Sequence, residues 1–343
     1  MRRQPGLRRE TLEIELKTGR NAIPLPLWLV SAYTIFIAIW IDLAIVFQDR
    51  FWPLAVLNTV AVYIFLPLLP LIVISTFSAD RRLLFGLLIY PTFAFLWIFG
   101  PLFLPRLQSA PAGPRLKLMT YNVLYSNEDY DAIAASIRAI GPDVVGFEEL
   151  TGAHEGLPAL LASEYPYATF SRDVKINDVG LISRYPIESA ERFPLPPLNL
   201  AMRVVLNVDG RRLQVFVVHQ TANNYPLSQM PARAAERYAA RAGETRRLAA
   251  ELSSLDGPAV LLCDCNLTDT SEAYRTLNAV LADSFREVGW GLGHTIQPFE
   301  APVALQRIDY VWHSREFFAV SAGVGPPGGS DHRPVWAELV WPR

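Results

Sequence analysis

The chain has 343 residues, 51% of them hydrophobic, and a formal net charge of −2 at pH 7. The charge is unevenly distributed: residues 1–114 carry 10 Lys/Arg against 6 Asp/Glu, a net +4, and residues 115–343 carry 21 against 27, a net −6. The first part is too apolar for an ordinary soluble domain. The acidic second part argues against a nucleic-acid-binding protein, since such proteins concentrate basic charge.

Three long apolar stretches occupy the first part of the chain. They are Ile23–Phe47, Phe51–Phe77 and Leu83–Leu104, and each exceeds the roughly 20 residues needed to cross about 30 Å of hydrocarbon. We therefore predict three transmembrane helices within residues 23–105. Asp42 lies in the first of them. An acid there is either a functional group of the membrane segment or a residue that lies near the interface or bonds a neighbouring helix.

The basic residues near these stretches predict the orientation of the chain. Those of the N-terminal tail, residues 1–22, are Arg2, Arg3, Arg8, Arg9, Lys17 and Arg20. The first loop between the spans has only Arg50, and the second has Arg81 and Arg82. Cytoplasmic segments are rich in Lys and Arg. We therefore expect a multi-pass protein of the cell membrane, with a cytoplasmic tail and with the region beyond the third span outside the cytoplasm.

A Pro/Gly-containing linker, residues 106–115, leads into a region where short strands alternate with helices. The patterns predict strands over Leu116–Val123, Val144–Phe147, Val179–Ser183, Arg203–Val208, Leu213–His219, Ala259–Cys263, Ile308–Trp312 and Val335–Val340. They predict helices over Tyr130–Ile140 and Arg233–Leu255. An Asp209-Gly210 turn joins two of the strands. Hairpins mixed with helices predict one α+β domain, residues 116–343, in which two sheets pack together with helices outside.

Polar residues follow or flank the apolar strands at several points along this domain. They are Asn122, Glu149, His219, Asp264, Asn266, Asp309, Asp331 and His332. Because strand ends can converge at one edge of a sheet, residues distant in sequence can form one site. Carboxylate and amide oxygens suit a hard cation such as Mg²⁺. No Cys or paired-His cluster accompanies them in the sequence, which disfavours zinc.

The two cysteines of the chain, Cys263 and Cys265, are two residues apart on or beside a predicted strand. Side chains at that spacing point the same way on a strand. A short extended segment cannot bring their sulfur atoms into ordinary disulfide geometry. We therefore interpret both as small, buried packing residues.

Seven ordered stretches of the second region resemble one family. They are Thr120-Tyr-Asn-Val123, Pro142-Asp-Val-Val-Gly-Phe-Glu-Glu149, Val179-Gly-Leu-Ile-Ser-Arg-Tyr-Pro-Ile187, His219, Asp264-Cys-Asn266, Arg307-Ile-Asp-Tyr310 and Ser330-Asp-His-Arg-Pro334. Together they resemble the endonuclease/exonuclease/phosphatase superfamily, which has the DNase I-like fold. The apolar N-terminal part is further similar to three-span bacterial members such as the teicoplanin-resistance type. The resemblance implies a four-layer α/β/β/α sandwich, residues 116–343, preceded by three transmembrane helices.

The resemblance also implies a metal centre. Glu149 would be the main ligand, and Asn122 and Asp331 would complete or flank the site, with Mg²⁺ as the expected ion and Mn²⁺ or Ca²⁺ as alternatives. The family usually has Gln before the metal-binding Glu, whereas this chain has Glu148. That second carboxyl group would either bring a second cation or raise the local negative charge.

The remaining matched residues would act on the phosphate ester. His332 would contact the scissile phosphate or handle the proton of the attacking water, and Asp309 would orient it. Asp264 would position or deprotonate the water. Asn266 and His219 would bind the non-bridging phosphate oxygens.

Fold alone does not choose the phosphate ester. The acidic domain and the short tether to a bilayer favour a lipid or lipid-linked phosphate of the cell envelope over nucleic acid, because tethering raises the effective concentration of lipid-borne substrates. A metal-dependent nuclease of the same fold is the alternative. A non-catalytic binding or scaffold protein of the envelope is a further one. The oligomeric state stays open.

Overall fold

A computed structural model describes residues 24–104, 106, 111–170, 178–196, 199–298 and 301–342 of the chain. The predicted cytoplasmic tail, residues 1–22, lies outside these residues, and so does the middle of the predicted linker, residues 107–110.

The N-terminal part is helical. Its helices are α1 (Leu25–Phe47), α2 (Trp52–Thr59), α3 (Leu68–Thr76) and α4 (Arg81–Phe99), with short 3₁₀ helices at Ala61–Phe65 and Gly100–Phe103. Within the described residues, α1 and the segment Arg81–Phe103 are each long and apolar enough to cross a membrane. A third crossing exists only if α2 and Ala61–Thr76 are counted as one span, and these two pieces are bent by 74°.

This bend, between Thr59 and Ala61, interrupts the single span predicted over Phe51–Phe77, and polar side chains lie beside it. Asn58 is buried, accepts a hydrogen bond from Trp40 Nε1 at 3.0 Å and donates one to Asp49 Oδ1 at 2.7 Å. Thr59 shares a hydrogen bond of 2.7 Å with the hydroxyl of Tyr238 in the second region. The hydropathy of the stretch did not reveal that its first part is bonded to another domain.

The second region forms two sheets with helices. Its strands are β1 (Arg115–Asn122), β2 (Val144–Leu150), β3 (Tyr167–Thr169), β4 (Asp178–Ser183), β5 (Ile187–Leu195), β6 (Asn199–Val208), β7 (Arg211–His219), β8 (Ala259–Asp264), β9 (Ala282–Asp283), β10 (Asp309–His313), β11 (Phe318–Val324) and β12 (Val335–Val340). Its helices are α5 (Tyr130–Ile140), α6 (Leu157–Leu160), α7 (Met230–Ser253), α8 (Glu272–Asn278) and α9 (Ser284–Val288). The strand orders are β11-β12-β1-β2-β4-β3 and β5-β6-β7-β8-β10-β9.

Three apolar clusters stack these elements into four layers. The central cluster joins the facing sides of the two sheets. At Gly146 in β2 the sheets come so close that an added Cβ would lie 2.9 Å from Leu262 of β8. A second cluster packs α5 and α6 on the outside of the first sheet, and a third packs α7 and α8 on the outside of the second. The predicted arrangement of two packed sheets with helices outside is confirmed.

Local sequence rules explain where several elements begin and end. The side chain of Asp129 caps α5 by accepting from Ala132 N at 2.9 Å, and Gly141 ends the helix with φ of 63°. Asp209 and Gly210 both have positive φ, as a tight turn between paired strands requires. The strand β5 was not predicted, because most of its residues are exposed or half-buried and it lacks an apolar run.

The interpretation of the two cysteines as unpaired packing residues was wrong. Cys263 and Cys265 are joined by a disulfide bond, and both are fully buried. Only Cys263 lies on β8, which ends at Asp264, so the segment is not extended as the prediction assumed. Its two Cα atoms are 5.1 Å apart, compared with about 6.6 Å for two residues of ideal strand.

The helical part contacts the two-sheet domain directly. Glu272 N donates to Asp49 Oδ2 at 2.5 Å, and Asp49 N donates to Glu272 Oε2 at 3.4 Å. In the 3₁₀ helix that follows α4, Leu102 O accepts from Gly291 N at 2.7 Å, and Phe103 O accepts from Trp290 Nε1 at 3.3 Å. The domain is therefore held on the helices by polar contacts in addition to the covalent linker.

Candidate active site

Strand register brings three of the predicted site residues to the same end of neighbouring strands in the second sheet. In the parallel pair of β7 and β8, His219 lies opposite Asp264, and in the antiparallel pair of β8 and β10, Asp264 lies opposite Asp309. In the first sheet, Asn122 at the end of β1 lies opposite Glu148 on β2, next to Glu149. These strand ends meet across the sandwich, because Asn122 Nδ2 donates to Asp264 Oδ2 at 2.8 Å.

His332 and Asp309 form a buried pair. Nδ1 of His332 lies 3.1 and 3.0 Å from the two carboxylate oxygens of Asp309, which orients the ring. Nε2 then faces the site and lies 3.8 Å from Asp264 Oδ2. Burial opposes protonation of the imidazole, but Asp309 and Asp264 outweigh it and raise the pKa of His332 to about 10.

Asp264 lies at the centre of the group. Its Oδ2 accepts from Asn122 and lies 3.4 Å from Nε2 of His219, and its Oδ1 accepts from Asn266 N at 3.2 Å. Burial and the neighbouring Asp309 raise its pKa to about 6, although His332 and His219 act in the opposite direction. The carboxyl group therefore has proton affinity in the range that general base catalysis uses.

Glu149 projects into the site from an irregular end of β2. The pairing of β2 with β4 shifts register between Phe147 and Leu150, and Glu149 has φ of 59°. A non-glycine residue in the left-handed region is uncommon and marks a functional constraint. Its Oε1 accepts from Asn122 Nδ2 at 3.1 Å and its Oε2 from Tyr125 N at 3.1 Å.

The neighbouring Glu148 points away from solvent. It is fully buried, and its Oε1 accepts from Thr120 Oγ1 at 2.6 Å, whereas Oε2 has no hydrogen-bond partner among the described residues. Burial raises the pKa of Glu148 well above its ordinary value, and the negative charges of Asp264 and Asp309 add to the shift. Whether Glu148 brings a second cation or raises the local negative charge stays a prediction.

Asp331 and Ser330 connect the C-terminal motif to β1. Ser330 Oγ donates to Asn122 O at 2.8 Å and accepts from His332 N at 3.0 Å. Oδ1 of Asp331 is buried without a hydrogen-bond partner among the described residues. Burial raises the pKa of Asp331, and Glu149 adds to the rise while His332 opposes it.

The residues present fit a divalent cation. One ligand atom from each of Glu149, His219 and Asp264 lies within 4.8 Å of the others. The unpartnered carboxylate oxygen of Asp331 is a further donor, and an oxygen-rich set of this kind suits a hard cation. The amide oxygen of Asn122 was expected to face the metal site. Instead it accepts from Leu124 N at 3.0 Å, and Nδ2 faces the carboxylates.

Asn266 and His219 lie beside the group, and their side chains have different partners. Asn266 has φ of 50°, and its Nδ2 donates to Gln220 O at 3.0 Å. Nε2 of His219 lies between Asp264 and Glu149, at 3.4 and 4.0 Å, and its Nδ1 is buried without a partner among the described residues. The structure thus places all eight predicted residues around one region.

Two supporting residues were not predicted. Ser330 links β1 to His332, as described above. Thr295 is fully buried, and its Oγ1 accepts from Ile308 N at 3.1 Å and from Asp309 N at 3.4 Å. The Gly-His-Thr stretch containing Thr295 is the sequence signal that was available.

Residues 119–332 match the model of the Endonuclease/Exonuclease/phosphatase family. A comparison with curated proteins found no match. Similar solved structures include an endonuclease/exonuclease/phosphatase from Beutenbergia cavernae, at 24% identity over 66% of this chain and 72% of that one, with a TM-score of 0.52. Sphingomyelinase C from Streptomyces griseocarneus has 24% identity, covers 66% and 99%, and has a TM-score of 0.50. D. rerio TDP2 complexed with single-strand DNA product has 16% identity, covers 66% and 98%, and has a TM-score of 0.53.

Proposed function

The chain belongs to the Endonuclease/Exonuclease/phosphatase family, whose members are hydrolases that act on phosphate esters; from this premise we propose that it is a membrane-anchored, divalent-metal-dependent phosphoesterase. The observation that carries the proposal is the buried His332–Asp309 pair. Asp309 holds Nδ1 of His332, and Nε2 of the same ring is directed at the site, 3.8 Å from Asp264. Hydrolysis proceeds by in-line attack of water on phosphorus.

Each residue of the group has a role in that reaction. Asp264 positions the attacking water and accepts its proton, for which its raised pKa is suited. The carboxylates of Asp309 and Asp264 favour the protonated form of His332, which donates hydrogen bonds to the scissile phosphate. Asp309 fixes the orientation of His332. His219 and Asn266 bind the non-bridging phosphate oxygens.

Glu149 and Asp331 are proposed to hold the metal ion, with Mg²⁺ as the first choice and Mn²⁺ or Ca²⁺ as alternatives, and Asn122 is proposed to flank the site by donating to Glu149 and Asp264. Asp264 and His219 lie close enough to Glu149 to join them. When bound, the ion neutralises charge on the transferring phosphoryl group. Because Glu148 is buried and turned away, one cation rather than two is the simpler assignment at this site.

We further propose that the protein is a three-span membrane protein similar to the teicoplanin-resistance type. In this division, residues 1–22 are a cytoplasmic tail, residues 23–105 form three spans, residues 106–115 are the linker and residues 116–343 are an extracytoplasmic catalytic domain. The bent segment α2–α3 is the middle span, with α2 on the side of the catalytic domain, since Thr59 contacts Tyr238 there.

The proposed substrate is a lipid or lipid-linked phosphate. Residues 115–343 have a net charge of −6, which is unfavourable for nucleic acid. A groove of about 560 Å³ between α1 and α4 is lined mainly by apolar side chains and ends at Asp269, Thr270 and Arg275, in the segment that follows Asn266. An alkyl chain in that groove would have its polar end close to the catalytic domain.

A substrate panel tests the proposal. Purified full-length protein in detergent is offered phospholipids, polyprenyl phosphates and DNA, each with Mg²⁺, Mn²⁺ or Ca²⁺. We expect lipid-phosphate turnover that falls by roughly 10²- to 10⁴-fold in His332→Ala. His313→Gln is the matched control, because His313 is a buried histidine of β10 that bonds Glu287 and Ser314 instead of the site.

Three other results would contradict parts of the proposal. DNA cleavage without lipid turnover would favour the nuclease of the same fold. Turnover that continues after chelation of divalent ions would contradict the proposed metal dependence. If the protein shows no turnover and His332→Ala leaves the cellular phenotype unchanged, a non-catalytic envelope protein is favoured.

A further inference from the structure

A loop between α9 and β10 holds both members of the His332–Asp309 pair. We call it the 294–306 loop; its described residues are 294–298 and 301–306. Arg333 N donates to Thr295 O at 2.8 Å, and Ile296 forms an isolated β-bridge with His332. Thr295 Oγ1 also accepts from Asp309 N. The position of the loop therefore helps to set the positions of the imidazole and the carboxylate.

The same loop holds the candidate metal ligand Asp331. Gln297 N donates to Asp331 O at 2.8 Å. The first half of the loop, residues 294–298, is hydrogen-bonded to the second half, residues 301–306. Leu305 N donates to Ile296 O at 2.8 Å, and Thr295 N donates to Gln306 O at 2.7 Å. A displacement of Leu305 would therefore move Ile296 and the catalytic motif bonded to it.

The bundle of N-terminal helices contacts the second half of the loop at Leu305. The hydroxyl of Tyr63, in the 3₁₀ helix at the bend of the middle segment, donates to Leu305 O. The ring of Tyr63 lies 6.2 Å from the ring of His294, and Nδ1 of His294 lies 3.2 Å from Ala304 O. The amide of Leu305 faces the loop while its carbonyl faces the membrane segment, so this residue joins the two.

We propose that Tyr63 is a positioning residue for Asp331 and His332. It acts through the 294–306 loop and touches neither the metal site nor the substrate. Residues 294–297 and 304–306, which are described and lie along the contact, form no named strand or helix, and segments of that kind open easily unless they are tied to a rigid element. The bend after α2 places the hydroxyl where it supplies that tie, so the membrane segment is part of the catalytic support as well as an anchor.

The test compares single hydroxyl deletions in the full-length chain in nanodiscs. Tyr63→Phe removes the bond to Leu305. Tyr33→Phe removes a bond to Ile64 O at 3.3 Å inside the bundle, and Thr59→Val removes the bond to Tyr238, a domain contact on α7. The controls therefore separate support of the loop from stability of the bundle and from docking of the domain.

Hydrogen–deuterium exchange and Mn²⁺ binding are measured first, because neither requires turnover. In Tyr63→Phe we expect faster exchange in the peptides covering residues 294–306 and 331–333, and Mn²⁺ affinity weaker by roughly tenfold. The two controls should leave both quantities unchanged. If Tyr63→Phe behaves like the controls, or if exchange rises equally over the whole domain, the proposal is wrong.

The turnover measurement rests on the proposed function. With the lipid phosphate that the wild type hydrolyses, kcat should fall by about tenfold in Tyr63→Phe while KM is unchanged, as misplacement of catalytic groups predicts. A change confined to KM would contradict a role in positioning. If the wild type hydrolyses no phosphate ester, the proposed function fails, and exchange and Mn²⁺ binding still decide the role of Tyr63.

Discussion

Glu148 shows how burial acts on an acid next to a candidate metal ligand. Its side chain is fully buried, and its hydrogen bond comes from the neutral hydroxyl of Thr120. Burial raises the pKa of Glu148 well above its ordinary value of 4.5, so folding favours the neutral form. A neutral acid resembles Gln, the residue that the family usually has there.

We predict that Glu148→Gln stabilises the protein at alkaline pH. The unfolded chain loses this proton near pH 4.5, whereas the folded chain keeps it, so the stability contributed by the protonated group is complete below pH 4.5 and is lost as pH rises towards the folded pKa. Gln has no proton to lose. Thermal unfolding in detergent with EDTA should show equal midpoints near pH 4.5 and a higher midpoint for Glu148→Gln at pH 8. The exposed Glu155→Gln is the control, and a difference independent of pH would contradict the prediction.

Arg307 and Asp283 illustrate the opposite case, a buried charge that is retained. Their side chains are 2% and 1% exposed, and two nitrogen–oxygen contacts of 3.1 and 2.5 Å join them. Burial favours the neutral acid, but Arg307 outweighs it and lowers the pKa of Asp283. The stabilising charge is therefore present above the unfolded pKa of 3.8 and is lost as pH falls below it.

Asp283→Asn should destabilise the domain by about 3–5 kcal/mol, because it removes the closer counter-charge of the buried guanidinium and leaves only Asp269, at 3.8 Å. Denaturant unfolding of the purified protein measures this at pH 7. Glu164→Gln provides the comparison, since it breaks a surface pair with Arg138 whose side chains are 33% and 47% exposed, and no measurable change is expected there. Equal effects in the two variants would show that burial is not the deciding factor.

At the site, residue identities were predictable but several orientations were not. The resemblance implied that Asp309 orients His332, and the structure places Nδ1 of His332 at 3.1 and 3.0 Å from the two oxygens of that carboxylate. The direction of the Asn122 amide depends on Leu124 N and on Asp264, which is 142 residues away. The left-handed backbone at Glu149 also has no signal in residue type, whereas Asn266 is of a type enriched in that conformation.

At the scale of elements, buried apolar runs were predicted well and irregular segments were not. The bounds of α5 and β12 match the prediction, because each has clear periodicity and a clear stop. The break between α2 and α3 was missed because hydropathy averages over the stretch and gives no weight to Asn58 and Thr59. These two side chains are satisfied by partners from α1 and α7, which a local pattern does not contain.

The bend makes a prediction about membrane sidedness. If α2 lies on the side of the catalytic domain, Arg50 is outside and Asp80, before α4, is in the cytoplasm. In intact cells, Arg50→Cys should react with a membrane-impermeant maleimide, and Asp80→Cys should react only after permeabilisation. The native cysteines are buried and bonded to each other, so they should give no background. The reverse pattern would invert the proposed topology.

For the whole molecule, composition separated an apolar part from an acidic domain, but it did not show that the two parts are packed together. Contacts such as Asp49 with Glu272 and Leu102 with Gly291 join residues far apart in the chain. Each involves a backbone group, and backbone groups are the same at every position. The order of seven motifs predicted the two-sheet fold, whereas docking of the domain on the helices required coordinates.

The position of β12 between β11 and β1 has a consequence for biosynthesis. The last strand of the chain is an internal strand of the first sheet, and Ser330 joins it to Asn122, 208 residues earlier. Until the ribosome has released this segment, β1 has an unpaired edge and the imidazole of His332 is absent. The candidate active site is therefore assembled only after the segment that leads into β12 has been synthesised, later than the helices α1 to α4.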